Sequence, residues 1–305
     1  MAKTHAKVIV NPVAGANRST FRQWPHIESL LRESGLSFDF QYTEGTGHAS
    51  ELAKLAASDG YRFLIAVGGD GTINEVANGL LNSANANATT LGIVSTGTGN
   101  DFIRSMGIPR DYIKACKNVA GERRSLIDVG LVEYRQNGQK ASRYFINGAG
   151  VGFDAEVAEA GKRVPRFMGN TVPFVLALLK TLPGYRNKNI RMNIDGRDEA
   201  RRVLSVVVSN GAYFGGGMRI APEAELSDSR LDVLTLGDIG KAELLQVFPR
   251  VYKGTHVTHP KVRMEKAERI TIECDKRILL QADGELLGEG PVTFQILPAA
   301  LSVVA

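Results

Sequence analysis

Cysteine is scarce in this 305-residue sequence: only Cys116 and Cys274 occur, and they lie far apart. This excludes a disulfide framework and a cysteine-based zinc motif, so we expect a protein of the reducing cytoplasm. Long apolar runs are also missing. The longest, Val172 to Leu179, ends at Lys180 and is far shorter than the roughly 20 residues that span a bilayer. The first residues, "MAKTHAKVIVNP", show no signal peptide.

Charge of neither sign dominates the sequence, because 37 Lys and Arg against 32 Asp and Glu leave a net charge of +5. This small excess favours anionic partners without selecting one. The basic residues are scattered and lack the aromatic signatures of RNA-binding modules, so we predict no nucleic-acid partner. A G-x-x-x-x-G-K-[ST] loop is absent, which excludes the common P-loop type of nucleotide site.

The first part of the sequence, residues 1–127, alternates apolar strands with amphipathic helices. "KVIVN", "SFDFQYT", "FLIAVGG" and "LGIVSTG" are typical of strands, and helical patterns such as "HASELAKLAAS" and "TINEVANGLL" lie between them. The helical pattern "PHIESLLRES" has Pro25 in its first turn. Alternation of this kind predicts an α/β domain in which helices cover both faces of a parallel sheet.

The second part, residues 128–305, has a different rhythm. Short strand patterns follow one another, with hairpin signals at Asn137-Gly138 and Asp195-Gly196. Two helical patterns, "FVLALLKTL" and "AELLQVFPRVY", interrupt them. We therefore predict a mainly antiparallel β-sandwich domain.

Three glycine-rich loops follow predicted strands of the first domain: "NPVAGANRS" from Asn11, "GGDGT" from Gly68 and "STGTGND" from Ser95. Each alone is typical of a tight turn. Together they lie where the carboxyl ends of parallel strands bind ligands. Glycine lets backbone N–H groups approach phosphate, and the helix after Thr72 directs its positive end to the same edge. The pattern favours a phosphate site.

Asp70 lies between two glycines of the second loop. A carboxylate beside phosphates repels them unless a cation lies between, and Mg²⁺ prefers oxygen ligands and retains several waters. The alternative is a structural role, in which Asp70 caps a helix. Asp101 in "GND" could cap the following helix in the same way.

The loops "GGDGT" and "GTGND", the opening "NP" loop, "APEAELSDSRLDV" and "DGE" together resemble the diacylglycerol kinase and sphingosine kinase superfamily, in its bacterial lipid kinase branch. The similarity extends along essentially the whole chain. "GGDGT" alone is shared with NAD kinases and resembles a phosphofructokinase motif. The resemblance implies an N-terminal nucleotide domain of the phosphofructokinase and NAD kinase type and a C-terminal β-sandwich for the lipid.

The resemblance also implies site residues and the cofactor Mg²⁺, with ATP as phosphoryl donor. Asp70, Asp101 and Asp128 would form a magnesium and water network, and a separate structural magnesium would bind the Asp228 carboxylate and carbonyl groups near Glu225 and Arg230. The residues expected to contact ATP are Asn11, Thr43, Gly68, Gly69, Asp70, Gly71, Thr72, Ile73, Asn74 and Thr98.

The catalytic stretch implied by the resemblance is "ADGELLG", where Asp283 and Glu285 are both candidates for the base and Asp70 acts with the metal. Asp-Gly is equally a hairpin turn signal. One departure concerns Ala16, because many relatives carry lysine or glycine after the "NPxxG" glycine. Arg18 could replace the lysine, although its guanidinium geometry differs from that of an ammonium group.

The function predicted from sequence is an ATP-dependent lipid kinase for diacylglycerol or a related lipid. Two alternatives remain: an NAD kinase-like enzyme or other kinase of a water-soluble small molecule, and a non-catalytic nucleotide- or lipid-binding protein. The sequence identifies neither the lipid nor the preferred nucleotide, and it leaves a homodimer open.

The lipid end is predicted from two stretches. The loop "NGAYFGGGMRIAP" from Asn210 to Pro222 is a candidate wall for an acyl chain, or a purely structural loop. Basic residues around the apolar helix pattern favour peripheral contact with the inner membrane face, with a buried helix and solvated flanks as the alternative. These basic residues are Lys162, Arg163, Arg166, Lys180, Arg186 and Lys188.

Overall fold

The computed structural model describes residues 5–161 and 171–305. The chain divides into two compact units. Unit 1 contains residues 1–128 and 298–305, and unit 2 contains residues 129–297. Lys162, Arg163 and Arg166, which the sequence suggested for membrane contact, lie outside the described residues.

The α-helices are α1 (Ser19–Glu33), α2 (His48–Ser58), α3 (Asp70–Leu81), α4 (Asp101–Met106), α5 (Tyr112–Val119), α6 (Phe153–Gly161), α7 (Thr171–Thr181) and α8 (Lys241–Val247). The strands are β1 (His5–Val10), β2 (Ser37–Tyr42), β3 (Phe63–Gly68), β4 (Thr90–Ser95), β5 (Arg124–Gln136), β6 (Gln139–Phe145), β7 (Gly148–Gly152), β8 (Lys188–Ile194), β9 (Arg197–Val203), β10 (Ser205–Ser209), β11 (Leu231–Leu236), β12 (Val262–Ala267), β13 (Arg269–Cys274), β14 (Leu279–Ala282) and β15 (Glu285–Val304).

Unit 1 contains a parallel sheet in the order β2-β1-β3-β4. Val8 and Ile65 point to the face on which α1 and α5 pack, through side chains such as Trp24 and Cys116. Because side chains alternate along a strand, Leu64 points to the other face, where α2 and α3 contact the strands. Burial on both faces explains why the central strands β3 and β4 are mainly apolar, whereas the edge strand β2 is mostly exposed.

The first helix differs from its predicted extent. It begins at Ser19 instead of Pro25, so Pro25 lies inside the helix. Because proline has no N–H, Pro25 cannot donate to the Phe21 carbonyl four residues earlier. Phe21 is 60% exposed. Buried Trp24, Ile27 and Leu31 on one face anchor the helix across this position.

Unit 2 is an antiparallel sandwich. One layer has the order β12-β11-β10-β7-β14-β15, and the other contains β9, β8 and β13 together with β5 and β6. The long strand β15 pairs with β14 through its first residues and with β13 through residues 292–295. Apolar side chains of both layers, among them Phe145, Val208 and Phe294, form the core.

A second apolar cluster lies on the opposite face of β10 and β11. Leu204, Val207 and Leu234 point to this face, where they pack with Phe153 of α6 and Leu244 of α8. The layer is therefore covered on both faces, by the other sheet layer and by helices.

The last eight residues pack with unit 1, whereas the sequence pattern predicted them as part of the second domain. Ser302 and Val303 continue the parallel sheet beyond Thr90 and Leu91 of β4. No local pattern indicates this, because the pairing joins segments more than 200 residues apart.

Candidate functional site

The three glycine-rich loops meet at one edge of the sheet of unit 1, because β1, β3 and β4 are adjacent and parallel. The Asn11 side chain donates from Nδ2 to Thr72 Oγ1 over 2.8 Å, which joins the first loop to the second. Thr43 is buried beside them, and its N–H donates to the Val10 carbonyl. The predicted grouping of these loops is therefore present in the structure.

The second and third loops are in backbone contact. A Cβ at Gly97 would lie 2.6 Å from the Cα of Gly69, so only glycine fits there without moving the chain. The Thr96 N–H donates to the Gly68 carbonyl over 2.9 Å. Thr98, at the tip of the third loop, is exposed to solvent.

Asp70 is the first residue of α3 and holds the third loop in place. Its Oδ2 accepts the N–H of Asn100 at 2.7 Å, and its Oδ1 accepts that of Phe102 at 3.3 Å. Burial raises the pKa of the Asp70 carboxyl, and the backbone N–H groups oppose this shift. The structural role of Asp70 is thus to fix the start of α4, not to cap its own helix.

The other two aspartates of the expected magnesium network, Asp101 and Asp128, are buried. Asp101 pairs with Arg104, with 3.3 Å between Oδ1 and Nη1, and lies between the two residues whose N–H groups bond to Asp70. Asp128 accepts the N–H of Ala299 at 2.8 Å. Across residues 5–161 and 171–305, no three His, Cys, Asp or Glu side chains could hold a metal directly. A network through water stays a prediction.

Two of the expected ATP contacts have buried side chains. Ile73 is fully buried, and its N–H donates to the Gly69 carbonyl within the helix. Asn74 is 1% exposed and accepts from the Asn78 amide. Their side chains therefore stabilise α3 inside unit 1. Gly71, by contrast, is exposed at the first turn, where helix N–H groups lack partners within the helix.

The first loop leaves its basic residue in solvent. Arg18 is exposed and has a φ of 56°, and the preceding Asn17 has a φ of 51°. Left-handed backbone at two successive non-glycine residues costs on the order of 1 kcal/mol each. Ala16, the residue at which the sequence departs from many relatives, is exposed next to them.

In unit 2, Asp283 and Gly284 form the turn between β14 and β15, with φ values of 46° and 82°. The hairpin interpretation of "ADGE" is therefore right, and it does not exclude a catalytic role. The Asp283 carboxylate accepts three backbone N–H groups, from Ile146, Asn147 and Gly148, at 2.8 to 3.1 Å. Burial raises the pKa of Asp283 to about 6 against these hydrogen bonds.

Glu285, one residue beyond the turn, is half-buried and lies in the wall of a cavity of about 300 Å³. The wall is mainly hydrocarbon, from residues such as Phe153, Val157, Leu234 and Phe248. Phe214, Gly215, Met218 and Ile220 also line it, so the loop suggested from sequence as an acyl-chain wall contributes directly. Asp154, Ser205 and Gln281 in the same wall were not identified from sequence, because no motif marks them.

The residues expected to hold a structural magnesium form an acidic cluster with one lysine. Lys266 Nζ contacts Asp228 Oδ2, and the Arg230 N–H donates to Asp228 Oδ1 over 3.0 Å. Glu225 is exposed, whereas Asp232 is 4% exposed and its Oδ2 has no hydrogen-bond partner in the described part of the chain. The excess of carboxylates suits a cation, but a metal at Asp228 must displace the Lys266 ammonium.

His256 and His259 bond to separate partners. His256 is fully buried, and its Nε2 bonds to the Ile220 carbonyl, whereas His259 contacts Glu243. For the lipid end, Lys180 and Arg186 are exposed, and Lys188 pairs with Glu156. In the described residues, no helix has the length and apolarity needed to cross a membrane.

Comparison with known proteins assigns each part of the chain. Residues 5–132 match the model of the diacylglycerol kinase catalytic domain, and residues 148–305 match that of the YegS C-terminal NAD kinase β-sandwich-like domain. A diacylglycerol kinase of Bacillus subtilis (strain 168) is 32% identical over 303 residues, which are 98% of this chain and 95% of that protein. One of Staphylococcus carnosus (strain TM300) is 28% identical over 99% and 95%, respectively.

Solved structures show the same fold. A crystal structure of a diacylglycerol kinase from Bacillus anthracis str. Sterne superimposes with a TM-score of 0.74 and 22% identity, and covers 100% of this chain and 97% of that one. Yeast NADH kinase in complex with NADH gives a TM-score of 0.52 with 10% identity over 99% and 83% of the two chains. The α/β unit and the β-sandwich predicted from sequence are therefore confirmed.

Proposed function

The chain belongs to the diacylglycerol kinase family, and on this premise we propose that it transfers the γ-phosphoryl group of ATP to a hydroxyl of diacylglycerol or a closely related lipid. The observation that carries the proposal is the mainly hydrocarbon cavity of unit 2 with Glu285 in its wall. A carboxylate at the edge of such a cavity can reach the polar end of a molecule whose apolar part fills it.

ATP would bind to unit 1, at the edge where the three glycine-rich loops meet. The exposed first turn of α3 offers backbone N–H groups and the positive end of a 12-residue helix to the phosphates. Gly69 and Gly97 keep the second and third loops in backbone contact, which fixes this surface before the nucleotide arrives. Asn11 and Thr72 join the first loop to it.

The oxygen-rich donor set of unit 1 fits magnesium bound through water. Asp70 and Asp101 would hold the hydrated ion, since Asp101 lies between the two residues whose N–H groups bond to the Asp70 carboxylate. When bound, the ion supplies positive charge against the β- and γ-phosphates. A metal ion would bind at Asp228 only if the Lys266 ammonium group left this carboxylate.

Glu285 is the better candidate for the base. Asp283 uses its two oxygens to accept three N–H groups, which are about three of the four lone-pair positions of a carboxylate. Its function in this proposal is to shape the turn. Glu285 would orient the lipid hydroxyl and accept its proton as the bond to phosphorus forms. A weak base suffices, because the loose transition state of phosphoryl transfer lets the proton leave late.

A panel of acceptors tests the proposal. The purified protein is incubated with γ-labelled ATP and magnesium, and with mixed micelles of diacylglycerol, micelles of a monoacylglycerol, a sphingoid base, or NAD without lipid. We expect label in a lipid phosphate and none in NAD, with Glu285→Gln as the inactive control. Label in NAD alone would establish the soluble-substrate alternative. Nucleotide binding without any labelled acceptor would leave the protein a binding module.

A further inference from the structure

Asp154 is a half-buried residue whose carboxyl group has no part in the mechanism above. It is the second residue of α6, directly after β7, and lies in the wall of the cavity. Its carboxyl group packs on the bare backbone of Gly150, where a Cβ would lie 1.9 Å from Asp154 Oδ2. The absence of a side chain at Gly150 therefore makes the space that this carboxyl group occupies.

Two uncharged side chains bond to the carboxyl group of Asp154. Gln281 donates from Nε2 to Oδ2 over 2.9 Å, and the Ser205 hydroxyl contacts Oδ1. Gln281 and Ser205 are themselves at most 1% exposed. A carboxylate in this mainly hydrocarbon wall, with two neutral side chains as partners, would have its charge poorly compensated.

The hydrogen bonds of Ser205 indicate whether Asp154 is protonated. Its Oγ lies 2.9 Å from the Val151 carbonyl, which can only accept, and also contacts Asp154 Oδ1. A hydroxyl has one hydrogen to donate. Both contacts are full hydrogen bonds when Asp154 carries a proton and donates it to Ser205, which then donates to Val151. Burial raises the pKa of Asp154, which agrees with this arrangement.

Gln281 extends the chain of hydrogen bonds to the candidate catalytic turn. While its Nε2 donates to Asp154, its Oε1 accepts the N–H of Gly284 at 3.1 Å. Gly284 is the residue between Asp283 and Glu285. The orientation of the Gln281 amide, and with it this bond to Gly284, is therefore set by Asp154.

We propose that Asp154 is a positioning residue that works as a neutral carboxylic acid and, through Gln281, fixes the turn that precedes Glu285. Only its catalytic consequence rests on the proposed kinase function. Asp154 touches neither the phosphates nor the proton in transfer; it holds the backbone from which Glu285 projects at the cavity wall.

Two substitutions separate this role from general stabilisation. Asparagine keeps the pattern, because its amide group donates to Ser205 and its oxygen accepts from Gln281. Alanine removes the carboxyl group, so Ser205 and the Gln281 amide both lose this hydrogen-bond partner. We expect Asp154→Asn to retain kcat within about twofold, and Asp154→Ala to lower kcat by at least about tenfold with an unchanged KM for ATP, because small displacements of reacting groups cost large factors in rate. An ionised Asp154 would instead make Asn as damaging as Ala.

Hydrogen–deuterium exchange tests the structural link without any kinase assay. Residues 280–288 are followed in the full-length wild type, Asp154→Asn, Asp154→Ala and the control Glu156→Ala, which removes a carboxylate from the same helix. We expect wild-type protection in Asp154→Asn and Glu156→Ala, and about tenfold faster exchange in Asp154→Ala.

The outcomes are distinct. Unchanged exchange in Asp154→Ala, or an inactive and deprotected Asp154→Asn, overturns the inference. If Asp154→Ala does not fold, the isosteric Asp154→Asn still decides whether the charged form is needed. If the wild type phosphorylates no lipid, the proposed function fails, while the exchange experiment still decides the role of Asp154.

Discussion

The Asp70 carboxylate accepts the backbone N–H of Asn100 over 2.7 Å and so connects the second glycine-rich loop to the third. A second bond from the Phe102 N–H leaves the other carboxylate oxygen similarly engaged. The residue that the sequence marks as a metal ligand is thus also a structural link between two loops, and a substitution must affect both properties.

Asp70→Asn is expected to abolish nearly all phosphoryl transfer. It is also expected to lower the free energy of unfolding by roughly 1–3 kcal/mol, because one backbone N–H then faces the amide nitrogen, which accepts no hydrogen bond. The magnesium-dependent kinase rate and denaturant unfolding provide the two measurements. Wild-type turnover would exclude any role in the reaction, and wild-type stability would exclude the structural link.

Gly71 and Gly97 distinguish nucleotide contact from loop packing. A methyl group at Gly71 enters open space at the first turn of α3. We expect Gly71→Ala to keep or raise stability by up to about 1 kcal/mol, since alanine favours helix, but to raise the KM for ATP. Gly97→Ala is expected to lose about 1–3 kcal/mol of stability by overpacking, because its Cβ meets the backbone of Gly69.

The control for this pair is Gly184→Ala, an exposed turn position of unit 2 with no atom closer than 4.0 Å to the added Cβ. Steady-state kinetics and thermal unfolding of the three variants give the comparison. An unchanged KM for ATP in Gly71→Ala would place the phosphates away from the first turn of α3.

Glu285→Gln is expected to reduce kcat by about 10²-fold or more while leaving stability within about 0.5 kcal/mol, because a removed general base costs rate and a half-buried side chain of equal size costs little. Asp283→Asn is expected to lose stability as well as rate, since the Ile146 N–H or its neighbours then face an amide nitrogen. If Glu285→Gln remained active while Asp283→Asn retained its stability and lost kcat, Asp283 would be the base.

The pKa of Asp283 gives a pH dependence with a definite sign. Burial raises this pKa to about 6 from the ordinary 3.8, so the folded state binds the proton more tightly than the unfolded state. The contribution of this proton to the free energy of unfolding is complete below about pH 4 and is lost as pH rises to about 6. Above pH 6 the free energy no longer changes, and the total loss is roughly 3 kcal/mol. The difference in unfolding free energy between wild type and Asp283→Asn, measured from pH 4 to 8, should fall by that order. A difference in unfolding free energy that does not change with pH would refute the raised pKa of Asp283.

Filling the cavity should impair the use of the lipid substrate and leave the KM for ATP unchanged. Ala158 on α6 lines the cavity and is half-buried. We expect Ala158→Trp to lower kcat/KM for a long-chain diacylglycerol by at least about tenfold, because its ring occupies volume that an acyl chain would fill, with an unchanged KM for ATP. Ala242→Trp, at an exposed position of α8, is the control. Equal lipid kinetics in both variants would show that the chain binds elsewhere.

Sequence alone determined the features that depend on neighbouring residues. Apolar runs and helical periods marked the parallel sheet of unit 1, and α2 occurs over the predicted residues His48–Ser58. Asn137-Gly138, Asp195-Gly196 and Asp283-Gly284 all adopt the positive φ values of tight hairpins, since these residue pairs tolerate that backbone best. The glycine-rich loops could be placed together because parallel strands end at one edge.

Tertiary structure decided what depends on distant segments. Only folding shows that Ser302 and Val303 pair with β4, that α1 continues through Pro25, or that three N–H groups of residues 146–148 surround Asp283. The same holds for Asp154, whose properties come from Gly150, Ser205 and Gln281. Local propensity acts over a few residues, whereas burial and hydrogen-bond partners are set by which segments pack against each other. The ionisation of a buried carboxyl group is therefore a property of the fold.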